Sequence, residues 1–145
     1  MYEKIIVSID GSDHAKHALN YALESAAKRG AELVSLKVVP PISSLTYFGE
    51  FSAQYIRDLM DNLRESHQKI LSDAANIVKN KKPSLKFQTR LEEGRTSDVI
   101  VDIAKEEDVD LIIMGSRGMG GIVGFLGSTS RHVVEACTKP ILIVK

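Results

Sequence analysis

The chain has no tryptophan, one cysteine, only four prolines and no excess of either charge. Each shortage excludes something. A lone Cys137 cannot close an internal bridge, so no disulfide framework holds the fold. Such sparing use of cysteine fits a reducing compartment. Nineteen Lys and Arg balance nineteen Asp and Glu, which removes the electrostatic footprint of a general nucleic-acid binder. No uncharged apolar run approaches the roughly 20 residues that span a bilayer. The opening MYEKIIVSIDGSD carries an early acid and an apolar stretch too short for a signal peptide. The expectations are therefore no nucleic acid, no membrane and a cytoplasmic location. Disorder is disfavoured by 43% hydrophobic content and a mean hydropathy of −0.06. At 145 residues the chain can bury about 70% of its unfolded surface without a metal or disulfide staple.

What is present alternates. Residues 4–10 (KIIVSID) are β-branched and almost wholly apolar, as a strand covered on both faces should be. Ser12 is a plausible N-cap for a helix carrying Ala15, Ala18, Leu19, Ala22, Leu23 and Ala26, which stops at Lys28-Arg29-Gly30. Residues 33–39 form a second strand, halted by Pro40-Pro41, and residues 42–50 a loop. A long helix is expected from about 52 to 82, with Leu59, Leu63, Ile70, Leu71, Ala74 and Ile77 on one side. Residues 85–91 alternate with period two, like an edge or half-exposed strand. Thr96 or Ser97 can cap a helix bearing Val99, Ile100, Ile103 and Ala104. Residues 110–114 are a second buried-type strand, followed by a glycine-dense loop, a short helix over 128–136 and a last strand over 140–145. Five strands and four helices in this order predict one α/β domain over 1–145. It is a doubly wound parallel sheet, covered on both faces, with strand order 3-2-1-4-5.

In such sheets ligands bind beyond the carboxyl ends of strands, where the strand order reverses. Two loops of unusual composition follow the two buried-type strands: Asp10-Gly11-Ser12 and residues 115–130. Six of the ten glycines lie between positions 115 and 127, and the loop enters its helix through Ser128-Thr129-Ser130. Free backbone N–H groups, the positive end of the helix dipole and three hydroxyls suit an anion, phosphate above all. The alternative is a flexible glycine loop with Ser128 as a simple N-cap. Neither a Walker A loop nor GxGxxG is present.

The series Gly115-x-x-Gly118, a short interval, then Gly127-Ser128 resembles the phosphate loop of the universal stress protein family. IIVSIDGS near the start, VDLIIMGSRG before the loop and KPILIVK at the end agree with it over essentially the whole chain. The interval from Met119 to Leu126 is one residue shorter than the family's pattern, and Gly120, Gly121 and Gly124 allow the backbone to compensate. The resemblance implies a Rossmann-like fold akin to the adenine nucleotide alpha hydrolases. It also implies an adenine nucleotide ligand (ATP, or ADP or AMP), with Mg2+ held through the phosphates. Asp10 would accept a hydrogen bond from adenine or ribose, Val38 would pack on the base, and Met114 and Gly115 would lie beside the sugar. Gly118, Gly127, Ser128, Thr129 and Ser130 would hold the phosphates, and Arg117 could reach the terminal one. Ser8 stands where the family often has proline, a further candidate contact.

Other chemistry-bearing residues favour plainer readings. Asp10 could simply hydrogen-bond its own turn. His14 and His17 are three apart on a helix but lack a third metal ligand. His67 and His132 have no obvious partner. Ser12 has no base placed beside it by any motif. Cys137 lacks an activating arrangement, and Lys79-Asn-Lys-Lys82 matches a helix C-terminus. Three functions remain: a non-catalytic nucleotide-binding stress-response module, a slow ATP hydrolase or adenylyl-transfer enzyme, and a ligand-free dimeric interaction protein. A homodimer through residues 141–144 is expected, because that strand is continuously apolar, lies at a sheet edge and has no later strand to cover it. Dimerisation through this strand is also common in the family it resembles.

Overall fold

The computed structural model describes residues 2–41, 43, 49–117 and 125–145. Within them run β1 (Lys4–Ser8), α1 (Asp13–Arg29), β2 (Glu32–Val39), α2 (Ala53–Lys81) and β3 (Phe87–Glu93). After these come α3 (Thr96–Glu106), β4 (Leu111–Gly115), α4 (Ser128–Ala136) and β5 (Ile141–Val144). All neighbouring strands pair in parallel, in the order β3-β2-β1-β4-β5, as the patterns predict. The two most apolar strands take the centre, where Ile5 pairs with Leu111 and Val7 with Ile113. The alternating strand β3 takes one edge and β5 the other.

The period-two geometry of β1 divides the core. Ile5 and Val7 face a cluster built with Leu19, Leu23, Ala26, Leu71 and Val78 from α1 and α2. Ile6 faces the other way, onto Ile100 and Ile103 of α3 and Val133 of α4. The helices thus cover both faces of the sheet.

Two helices start as their sequences suggest. Ser12 Oγ accepts the Ala15 N–H at 3.1 Å, and Ser52 Oγ accepts that of Tyr55 at 3.1 Å. The other two lack a hydroxyl cap, although α4 spans 128–136 as expected. The N-cap of α3 is Arg95 and that of α4 is Gly127, neither with a side-chain cap bond. Thr96 and Ser128 fall one position inside their helices, where a hydroxyl no longer folds back on the first turn. The apolar stripe of α2 is also less buried than expected. Leu71, Ala74 and Val78 are buried, whereas Leu59 and Leu63 stay half-exposed. A 29-residue helix extends about 43 Å, against about 26 Å for the eight-residue β2, so it outruns the sheet.

Candidate functional site

The carboxyl ends of β1, β2 and β4 open into a cavity of about 320 Å³. Ser8 and Asp10 line it from β1 and its following turn, and Val38 from β2. Met114, Gly115 and Arg117 contribute from β4 and beyond, and Gly127, Ser128, Thr129 and Ser130 from the start of α4. The fold therefore gathers residues more than a hundred positions apart. Gly118, expected in the same group, lies outside the described residues.

The turn after β1 is held by its own side chains. Asp10 Oδ1 accepts the Ser12 N–H at 2.9 Å, and Gly11 takes φ 86°, a left-handed conformation that suits glycine. Asp10 is thus fixed by its turn and still lines the cavity. Its second carboxylate oxygen has no hydrogen-bond partner among the described residues.

At the other end α4 points its N-terminus into the cavity. Arg131 is the first residue of this helix to return a backbone hydrogen bond, to Gly127 O at 3.0 Å. The amides of Ser128, Thr129 and Ser130 have no acceptor among the described residues, as the first turn of a helix dictates. The uncapped start of α3 adds Thr96 to the same wall. Both helix dipoles favour negative charge here, and Arg117 has no ion-pair partner among the described residues.

The three consecutive hydroxyls are not equivalent. Ser130 is buried, and its hydroxyl lies 3.0 Å from both Ser116 O and Gly127 O. Its one proton is spent on the backbone, so only its amide remains for a ligand. Ser116, which sequence reasoning passed over, is the hub of this corner. Its N–H donates to Val144 O of β5 at 2.8 Å, and its carbonyl accepts the Gly127 N–H at 2.7 Å. These bonds pin the two ends of the glycine loop to the sheet. The available signal was a small polar residue directly after a buried strand.

Lys37 and Thr96 also line the cavity and were not anticipated. Lys37 Nζ donates to Val38 O at 3.1 Å. Burial holds its pKa below the ordinary lysine value, and the negative charge of Asp10 works against that shift. His67 on α2 is likewise held low, first by burial and then by the positive charge of Lys37. Both its ring nitrogens are buried without a hydrogen-bond partner among the described residues. His132, which has no obvious partner in the sequence, lies 3.2 Å from Asp98 and joins α4 to α3.

Chemically the cavity can hold an anion at one end and a hydrogen-bonding group at the other. Among the described residues lining it, Asp10 is the one carboxylate and no imidazole is present. No cluster of three potential metal ligands occurs among the described residues, and no helix there is long and apolar enough to cross a membrane.

The profile of the universal stress protein family matches residues 1–145. The chain is 35% identical to the universal stress protein YxiE of Bacillus subtilis, with 100% of both chains covered. A crystal structure of a universal stress protein in complex with cAMP superimposes with a TM-score of 0.74 at 26% identity, covering 99% of this chain and 97% of that one. The universal stress protein of Archaeoglobus fulgidus in complex with dAMP gives a TM-score of 0.69 at 26% identity, covering 99% and 98%.

Proposed function

The chain belongs to the universal stress protein family, and we propose that it binds an adenine nucleotide, ATP in the first place, in the cavity beyond β1 and β4. The observation that carries the reading is the uncapped N-terminus of α4 facing Asp10 across that cavity. Free amides and helix dipoles suit the phosphates. Asp10 suits a hydrogen-bond donor on the base or ribose, and Val38 and Met114 offer apolar surface for the flat base. Relatives of the same fold, solved with cAMP and with dAMP, hold ligands of this class.

In this reading Mg2+ arrives with ATP and is held by the phosphates, with no protein ligand set of its own. The protein acts as a cytoplasmic, non-catalytic signalling module and pairs with a second copy through β5. Hydrolysis by in-line attack needs a base or a positioned water beside the terminal phosphate. The carboxylate in the wall is instead held in the β1 turn.

Calorimetric titration with ATP, ADP, AMP and cAMP, with and without Mg2+, tests the reading. Binding of roughly micromolar order, about −8 kcal/mol, is expected, with Mg2+ strengthening ATP more than AMP. No heat with any of the four at millimolar ligand would overturn it. Stoichiometric phosphate release over hours, with ATP bound, would move the protein to the hydrolase class.

A further inference from the structure

The two faces of the sheet are covered differently. On one, α3 and α4 pack closely against each other. On the other, α1 and α2 rest on the sheet and scarcely touch. Polar pairs bridge these two at one end, where Lys81 Nζ donates to Asn20 Oδ1 at 2.8 Å and Lys82 lies 3.8 Å from Glu24. Toward the carboxyl edge of the sheet the small residues Gly11, Ala15 and Ala74 leave a cleft of about 290 Å³ between the helices.

We propose that this cleft is a second ligand site, which takes a single-chain amphiphile with a carboxylate head. Its floor is the buried aliphatic group Ile9, Leu19 and Ala74, and Ile70 and Ile77 form the half-buried side. Among the described residues no aromatic ring lines it, so none of them favours stacking a flat ligand. Its size is at the low end for small-molecule sites, which suits one alkyl chain better than a bulky body.

The rim selects the head group. Lys16 and Lys69 stand against one acid, Asp73. Lys16 is partly engaged by Asp13 at 3.7 Å, whereas Lys69 has no ion-pair or hydrogen-bond partner among the described residues. A monoanionic head complements the unpartnered Lys69. Ile9 and Ala15 also line the other cavity, so the two sites share a wall.

Hexanoate, octanoate and decanoate, titrated into nucleotide-free protein below the micelle threshold and followed by backbone amide NMR shifts, test this. With no nucleotide in the cell, the result is independent of whether the first cavity binds one. Saturable shifts centred on Ile9, Leu19, Ile70 and Ala74 are expected. Each added methylene should tighten binding about four-fold, the equivalent of about 0.8 kcal/mol per buried CH2. Neutral octanamide should bind more weakly than octanoate. Lys69→Glu, an exposed change that leaves the fold intact, should weaken octanoate about three- to five-fold and leave octanamide unaffected. The proposal is overturned by an absence of saturation, by affinity independent of chain length, by equal binding of acid and amide, or by shifts centred on Ser128 to Ser130.

Discussion

Gly115 runs so close to His14 that a β-carbon on the glycine would lie 2.8 Å from His14 Cβ and 3.0 Å from its carbonyl carbon. Part of that contact is backbone, so a side chain cannot be accommodated by a rotamer change. The close approach lets the start of α1 sit directly against the end of β4, beside the cavity. Gly115→Ala should push the two apart, with a loss of about 1–3 kcal/mol typical of overpacking. It should also weaken nucleotide binding by displacing the Asp10 turn. Urea unfolding and calorimetry check both parts. A variant with the parent's midpoint and affinity would refute the contact.

Ser128 and Ser130 lie two positions apart and have opposite expected phenotypes. The Ser130 hydroxyl holds Ser116 O and Gly127 O, so Ser130→Ala should cost stability, about 1–2 kcal/mol for a buried bond lost. Ser128 lines the cavity and gives no side-chain cap to its own helix. Ser128→Ala should therefore leave the unfolding midpoint alone and weaken ATP by about 1 kcal/mol. Gly127 has φ −64°, ordinary for any residue. Gly127→Val should fold normally and lose nucleotide by occupying ligand space. Denaturant unfolding and titration of the three variants separate the roles, and a stability loss in Ser128→Ala with none in Ser130→Ala would reverse the assignment.

The strand order and the location of the cavity were legible because they depend on burial, which the apolar runs of β1 and β4 record directly. Asp10, Val38, Met114 and the α4 start were legible because loops at those strand ends converge whatever their side chains do. Three features were not. Ser116 acts through its backbone, so its one signal was its place directly after a buried strand. Lys37 reaches the cavity only because its flexible stem turns back to Val38 O at the strand end. The cap of α3 was misplaced, since the hydroxyls of Thr96 and Ser97 look like caps but Arg95 holds that position.

Asp110, just before β4, gives a pH-dependent test of the fold. Its carboxylate accepts the N–H groups of Glu3 at 2.7 Å and Lys4 at 2.9 Å, which tie the N-terminal strand to β4. Those backbone bonds, that of Lys4 first, hold its pKa below the ordinary 3.8. A depressed carboxylate contributes its stability above the unfolded-state value and loses it as pH falls through the folded one. Stability should therefore decline below about pH 4 in the parent. Asp110→Ala should lower stability at neutral pH and flatten that acid limb. An unchanged acid limb in the variant would show that other carboxylates control it.

The edge strand β5 carries the last prediction. Ile141, Leu142 and Ile143 are incompletely buried, with Leu142 38% exposed. β4 occupies one side of the strand, and among the described residues no strand pairs with the other. An apolar edge with free N–H and C=O groups invites pairing with another strand. Antiparallel pairing with the same strand of a second copy satisfies both edges and closes under a twofold axis. Removing the strand is a poor test, because Val144 O is the acceptor for Ser116 N and the glycine loop would lose its anchor. Leu142→Lys keeps the backbone and places a charge on the edge, as monomeric proteins do to blunt one. Light scattering should give twice 15.9 kDa for the parent at micromolar concentration and 15.9 kDa for the variant. A parent that scatters as a monomer across that range would remove the dimer. A variant that stays dimeric would move the contact to another surface.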